Sequence, residues 1–81
     1  MNNIENYLKE IGFKENDWGF LSNTMNNIEF ILMKDPLSGY TLSYSYISNR
    51  TAENSEIPLG RKPSLDELIN SINKVKNVYK N

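Results

Sequence analysis

The spacing of apolar residues changes twice along the chain, and this change most constrains the fold. Near both termini, apolar positions recur every three or four residues, as on one face of a helix. The first such set is Ile4, Tyr7, Leu8 and Ile11. In the middle, apolar and polar residues alternate, as on a half-buried strand. The clearest alternating set is Tyr40, Leu42, Tyr44 and Tyr46. A sheet is therefore predicted between two helices.

The second helix has the strongest local signals. Ser64 and Glu67 have the spacing of a capping box, in which each side chain binds the backbone N–H of the other residue. Pro63 precedes them and disfavours an earlier helix start. Six apolar residues then follow at helical spacing: Leu65, Leu68, Ile69, Ile72, Val75 and Tyr79. These signals predict a helix that begins just after Ser64.

Three strands are predicted between the helices. Residues 28–33 form a central strand that is apolar on both faces, and residues 35–39 join it to the tyrosine-rich strand. Residues 18–22 form the third strand, and residues 49–62 are predicted to be a long loop with a short extended piece. The predicted fold is α+β in the order α-β-β-β-α. It is one domain, residues 1–81, with a three-stranded antiparallel meander sheet and N- and C-terminal helices packed on one face.

The residue types present exclude the commonest catalytic arrangements. The chain contains no histidine and no cysteine, so it lacks the most common general base, the thiolate nucleophile and the usual zinc ligands. Its four glycines are scattered and form no phosphate-binding loop. We therefore expect a protein that is not an enzyme and has no cofactor and no metal site.

Composition also suggests a compartment and a source. Small domains in oxidising compartments usually rely on disulfides, which a chain without cysteine cannot form. The N-terminus lacks a basic segment followed by an apolar run, and the longest apolar run, residues 30–33, is too short to span a bilayer. We expect a cytoplasmic protein with no membrane segment. The abundance of Asn, Lys and Ile is typical of bacteria or phages with AT-rich genomes.

Two groups of apolar residues are candidates for an interaction surface. Ile31, Met33 and Ile47 face away from the tyrosine row, so helices packed on the tyrosines would leave them uncovered. The opposing interpretation is a small cluster rimmed by polar groups. Trp18 is the second candidate, because tryptophan is enriched among binding hot spots, although a lone tryptophan more often fills space within a small domain.

Basic residues and the tyrosine row leave a nucleic-acid alternative open. Arg50, Arg61 and Lys62 flank the predicted long loop and could contact phosphate or an acidic partner, although a solvated loop is the simpler interpretation. Tyr40, Tyr44 and Tyr46 could stack on bases if the row were exposed. We favour a core position for the row, because strands are enriched in tyrosine whatever their function.

These observations favour a small non-enzymatic protein-binding or inhibitory module that acts by occupying a surface of another macromolecule. In size, compartment and lack of catalytic motifs the chain resembles phage-encoded inhibitors of bacterial defence, such as anti-CRISPR proteins, and toxin-immunity proteins. No residue motif carries this general resemblance. One alternative is a weak nucleic-acid-binding module, which the net charge of −1 disfavours. Another is a homo-oligomeric accessory or structural subunit that associates through the uncovered sheet face or an edge strand.

Overall fold

The computed structural model describes residues 3–47 and 52–79 and contains two helices and one sheet. In chain order the elements are α1 (Asn3–Glu10), β1 (Lys14–Glu15), β2 (Leu21–Met25), β3 (Ile28–Asp35), β4 (Gly39–Ile47), β5 (Ala52–Gly60) and α2 (Leu65–Val78). The five strands follow one another across the sheet in sequence order, and each is antiparallel to its neighbour.

Both helices cover the same face of this sheet. Phe30 and Leu42, which point to that face from β3 and β4, are completely buried. Leu8 of α1 and Leu68 of α2 are also completely buried, and they belong to the same apolar cluster. The molecule therefore has two layers, and we call the uncovered side of the sheet the open face.

The tyrosine row lies on the covered face. Tyr40 is buried in the apolar cluster, and Tyr44 and Tyr46 are half-buried against it. The Tyr79 ring stacks on Tyr46 with ring centroids 4.4 Å apart and contacts Tyr44 edge-on at 6.4 Å. The prediction that the row forms part of the core is confirmed.

The predicted start of α2 is also confirmed. The Ser64 Oγ accepts a hydrogen bond from the Glu67 backbone N–H at 3.1 Å, and the Ser64 N–H donates to Glu67 Oε1 at 3.5 Å. Both bonds of the capping box are therefore present. The first turn of α2 thus has side-chain partners for backbone groups that a helix cannot satisfy internally.

The predicted three-stranded meander is wrong, because the sheet has five strands. The larger error concerns residues 49–62, which were predicted to be a long loop. Strand β5 occupies most of this segment. As an edge strand with largely exposed side chains, β5 needs few apolar residues, so its sequence lacks the alternation that marks a half-buried strand. Its Pro58 and Gly60 are also residues that usually indicate a turn.

The predicted strand at residues 18–22 is misplaced, and β2 begins at Leu21. Residues 16–20 instead form the turn between β1 and β2. The turn into β3 is only two residues long, because Asn26 and Asn27 both adopt positive φ, at 53° and 66°. Two consecutive left-handed residues are typical of the tightest hairpins, and asparagine tolerates this conformation better than most residues.

Candidate interaction surface

Three loops meet at one end of the sheet. They are residues 16–20 between β1 and β2, residues 35–39 between β3 and β4, and residues 61–64 between β5 and α2. The strand register places them together, since Glu15 pairs with Leu21, Asp35 with Gly39, and Tyr40 with Gly60. We define the loop-end surface as residues 16–20, 35–39 and 61–62, with Met33 and Lys34 beside them.

The first of these loops is a hydrogen-bonded turn that exposes Trp18. The Asn16 Oδ1 accepts hydrogen bonds from the backbone N–H groups of Trp18 at 2.9 Å and Phe20 at 3.0 Å. The Gly19 N–H donates to the Asn16 carbonyl at 3.0 Å and closes the turn. With its backbone held this way, the Trp18 side chain is 79% exposed.

The second loop is organised by a carboxylate and exposes Leu37. Asp35 Oδ1 accepts hydrogen bonds from the backbone N–H groups of Leu37 at 2.7 Å and Ser38 at 3.1 Å. These two donors hold the pKa of the Asp35 carboxyl below its ordinary value. The Leu37 side chain between them is 78% exposed.

Arg61 connects the second loop to the third. Its Nε donates a hydrogen bond to the Leu37 carbonyl at 3.0 Å. This bond joins the start of the β5–α2 connection to the tip of the β3–β4 loop. The exposed Leu37 is therefore held both by Asp35 within its own loop and by Arg61 from a neighbouring one.

A shallow depression of about 230 Å³ lies between the loops and the open face. Phe20, Met33, Thr41 and Glu56 line it together with residues of the β3–β4 loop. Phe20 and Met33 are both half-buried, so the floor of the depression is partly apolar. The loop-end surface therefore has two protruding apolar side chains, Trp18 and Leu37, and a small depression beside Phe20 and Met33.

The charges around this surface are mixed. Lys34, Arg61 and Lys62 are exposed, and the Lys34 Nζ lies 5.5 Å from the centroid of the Tyr40 ring. Asp35 and Glu56 bring carboxylates to the same region. The loop-end surface consequently carries polar groups of both signs around its apolar side chains.

The structure brings together four of the seven residues chosen from sequence as interaction candidates. Trp18, Met33, Arg61 and Lys62 all belong to the loop-end surface. Ile31 is half-buried further along the open face, where it pairs with Ser22 and Ser43. Ile47 is 52% exposed at the opposite end of β4. Arg50 lies outside the described residues.

Sequence reasoning missed Leu37 and Phe20. Leu37 stands in the middle of a turn-forming segment. Because turns lie on the protein surface, an apolar residue within one is expected to be exposed. Phe20 was assigned to a strand, so its place beside Met33 could not be recognised before the turn at residues 16–20 was known.

A larger polar depression, about 690 Å³, lies at the other end of the sheet beside Tyr46 and Tyr79. Four asparagines line it: Asn26, Asn27, Asn73 and Asn77. Asn26 and Asn27 are explained by their left-handed turn conformations, and Asn73 and Asn77 lie on the exposed side of α2. The tight turn therefore accounts for two of these four asparagines.

Searches for other kinds of site and for similar proteins gave negative results. Within residues 3–47 and 52–79, no three side chains of the metal-binding types come together. Neither helix in the described part of the chain has the length and apolar character needed to cross a membrane.

No protein-family model, curated protein or solved structure matches the chain.

Proposed function

We propose that this protein is a small protein-binding domain that acts without catalysis, by occupying a surface of another protein. The observation that supports this most is the exposure of Trp18 and Leu37, at 79% and 78%, on neighbouring loops of one end of the sheet. Tryptophan is among the residues most enriched at the energetic centres of protein interfaces. Large apolar side chains exposed on one surface are a feature of binding sites when they form a continuous patch.

The backbone beneath both side chains is organised before any partner arrives. Trp18 is held by Asn16, and Leu37 is held by Asp35 and Arg61. A partner therefore binds loops that already have their conformation, which lowers the entropic cost of association. This organisation favours recognition by a fixed surface over folding upon binding.

The chemistry of the surface suggests what the partner presents. Trp18 and Leu37 protrude, so the partner offers apolar pockets for them. The depression lined by Phe20 and Met33 can accept one side chain in return. The surrounding charges of both signs would pair with a polar rim on the partner, which is the usual organisation of an interface. An inhibitor or immunity protein works in this way, by covering a site that its target needs.

The placement of the tyrosines gives the nucleic-acid alternative less support. That alternative relied on Tyr40, Tyr44 and Tyr46 as a stacking platform, but all three lie beneath the helices. The basic residues of the loop-end surface have carboxylates among them, which weakens attraction to phosphates.

The proposal can be tested by capture of partner proteins from bacterial lysate, with quantification by mass spectrometry. Wild-type protein is compared with Trp18→Ala and Leu37→Ala, after circular dichroism has confirmed that each variant is folded. We expect at least one captured protein to be lost with both variants. With that protein purified, each substitution should weaken binding by about 30-fold, because hot-spot residues contribute about 2 kcal/mol or more.

A matched control and a direct readout complete the experiment. Ile47→Ala also removes an exposed apolar side chain, but at the opposite end of β4, and should leave capture unchanged. Trp18 is the only tryptophan, so its fluorescence reports on this surface alone and should shift to the blue when the purified partner binds. Capture that is equally insensitive to all three substitutions, or no shift on binding, would contradict the proposal.

A further inference from the structure

The outer edge of β5 carries backbone groups that can pair with another strand. The Ile47 N–H donates to the Asn27 carbonyl at 2.9 Å, so Ile47 directs its backbone toward β3. Backbone direction alternates along an antiparallel strand, so Tyr44 directs its N–H and C=O toward β5 and bonds its partner Ser55. The residues on either side of Ser55, Asn54 and Glu56, therefore point their backbone groups away from the sheet.

Pro58 is consistent with this assignment. It has the same parity as Asn54 and Glu56, so the position of its nitrogen is on the outer edge, where a missing N–H costs no bond to β4. The one irregularity in the β4–β5 ladder is next to Tyr40 and Thr41, beyond this segment. Residues 54–57 thus form a regular strand edge, and no strand from the described residues lies beside it.

We infer that β5 pairs with β5 of a second copy of this chain, antiparallel and with a two-fold axis at Ser55. In this register Asn54 of each copy lies opposite Glu56 of the other. Each such pair exchanges two backbone hydrogen bonds, and symmetry supplies the pair twice. The side-chain amide of Asn54 then stands beside the Glu56 carboxylate on the open face, where it can donate a hydrogen bond.

Charge favours this register over the one with its axis at Glu56. Moving the axis by one residue to Glu56 would place the two Glu56 carboxylates directly opposite each other, which is destabilising. With the axis at Ser55, every carboxylate at position 56 faces an amide. The same segment contains no lysine, a residue that often protects exposed edges from pairing.

A groove next to this edge gives the second strand an apolar surface to cover. The groove is about 260 Å³ and lies between α2 and the sheet, lined by Tyr44, Ile57, Ser71, Lys74, Val75 and Val78. Val78 is 69% exposed at the end of α2 nearest the beginning of β5. The two-fold axis directs Ile57 of the second copy toward this end, so that Ile57 and Val78 become neighbours across the dimer.

The dimer does not depend on the proposed function. It joins the two sheets into one along β5, whereas Trp18 lies on the β1–β2 turn, at the other edge of the sheet. Because the paired strands are antiparallel, the two loop-end surfaces face opposite directions. A dimer of this kind would present two binding surfaces to partners.

Sedimentation equilibrium tests the inference with the whole chain, at concentrations up to about 1 mM, which would populate even a millimolar dimer. We expect the wild type to dimerise as concentration rises. Asn54→Pro removes an outward N–H without removing a bond to β4, and we expect at least a 10-fold weaker dimer. Asn54→Ala keeps that N–H and should dimerise more tightly than Asn54→Pro. A wild type that stays monomeric, or an Asn54→Pro variant that dimerises like the wild type, would overturn the inference.

Disulfide trapping tests the register and does not depend on the folding of the proline variant. Opposed residues at the axis have Cα atoms about 4.5 Å apart, within the range that a disulfide bridges. Since the chain has no cysteine, Ser55→Cys introduces a single thiol, which oxidised glutathione should convert to a crosslinked dimer. Thr24→Cys, on β2, is the exposed control and should crosslink at least 10-fold less. Equal crosslinking of the two variants would refute the register. A chain that never self-associates but binds a strand of another protein at this edge would refute the dimer itself.

Discussion

The Cα of Gly39 faces the backbone of Gly60, where the β3–β4 loop meets the end of β5. A Cβ built on Gly39 would collide with the Gly60 carbonyl group and with the Arg61 Cα, both of which are backbone atoms. Gly39 also has a φ of +89°, and residues with a Cβ rarely adopt such positive φ values. The absence of a side chain at Gly39 therefore allows two of the three loops that carry the loop-end surface to approach each other closely.

Gly39→Ala should therefore cost more than an ordinary glycine substitution. We expect a loss of about 1–2 kcal/mol from the left-handed conformation and about 1–3 kcal/mol from the collision. Gly19→Ala is the matched control, because Gly19 has a similar φ of +82° but open space around its Cα, so only the first cost applies. Chemical denaturation of both variants measures the difference, and equal midpoints would show that the approach of Gly39 to Gly60 is not close.

The buried stripe of α2 provides a second prediction. Leu68→Ala and Ile72→Ala should each lower the free energy of unfolding by about 2–5 kcal/mol, because both side chains are buried in the cluster beneath the helices. Leu37→Ala removes the same group as Leu68→Ala but from an exposed position, and should change it by less than about 0.5 kcal/mol. Urea denaturation compares the three, and similar losses at positions 37 and 68 would contradict this packing.

The capping box provides a third prediction. Ser64→Ala should destabilise the protein by about 1 kcal/mol, since the Glu67 N–H loses its side-chain acceptor. Ser64→Asp restores an acceptor at the same position and should recover most of the loss. Thermal unfolding of both variants separates capping from a general effect of substitution. An aspartate variant as unstable as the alanine variant would argue against a cap.

Asp35 makes the stability of its loop depend on pH. Its pKa is lowered in the folded state by the Leu37 and Ser38 N–H groups, so its contribution is present above the unfolded pKa and is lost as pH falls through the folded value. Asp35→Asn keeps an acceptor oxygen but has no charge to lose. Wild type should exceed this variant in stability at neutral pH, and the difference should shrink below about pH 4. Chemical denaturation of both proteins across this pH range measures the difference in stability, and an NMR titration follows the Asp35 carboxyl. A stability difference that does not change with pH would contradict the stabilising role of the charged Asp35.

How far the sequence predicts the fold depends on whether a signal is local. Ser64 and Glu67 are three residues apart and report a helix start without any distant contact, which explains why the prediction was confirmed. The alternation of the tyrosine row with Thr41, Ser43 and Ser45 likewise encodes a strand with one buried face. The edge strand β5 lacks such an alternating pattern, because most of its side chains are exposed. It is a strand because its backbone is hydrogen-bonded to β4. The loop-end surface was only partly predicted, because Trp18 and Leu37 are distant in sequence.

The sequence by itself predicted the α+β class of the fold, and its lack of histidine and cysteine excluded the chemistry that those side chains perform within this chain. It also predicted the two helices and the two central strands, since periodic apolar spacing and capping are properties of short segments. The sequence favoured a core position for the tyrosine row, and the structure showed that the row lies beneath the helices. Only the tertiary structure decided that residues 3–47 and 52–79 form a sheet of five strands, that three loops meet at one end of it, and that no other strand from these residues lies beside the outer edge of β5. Those features arise from backbone pairing and close approach between residues far apart in the chain, such as Gly39 and Gly60, and no short segment contains that information.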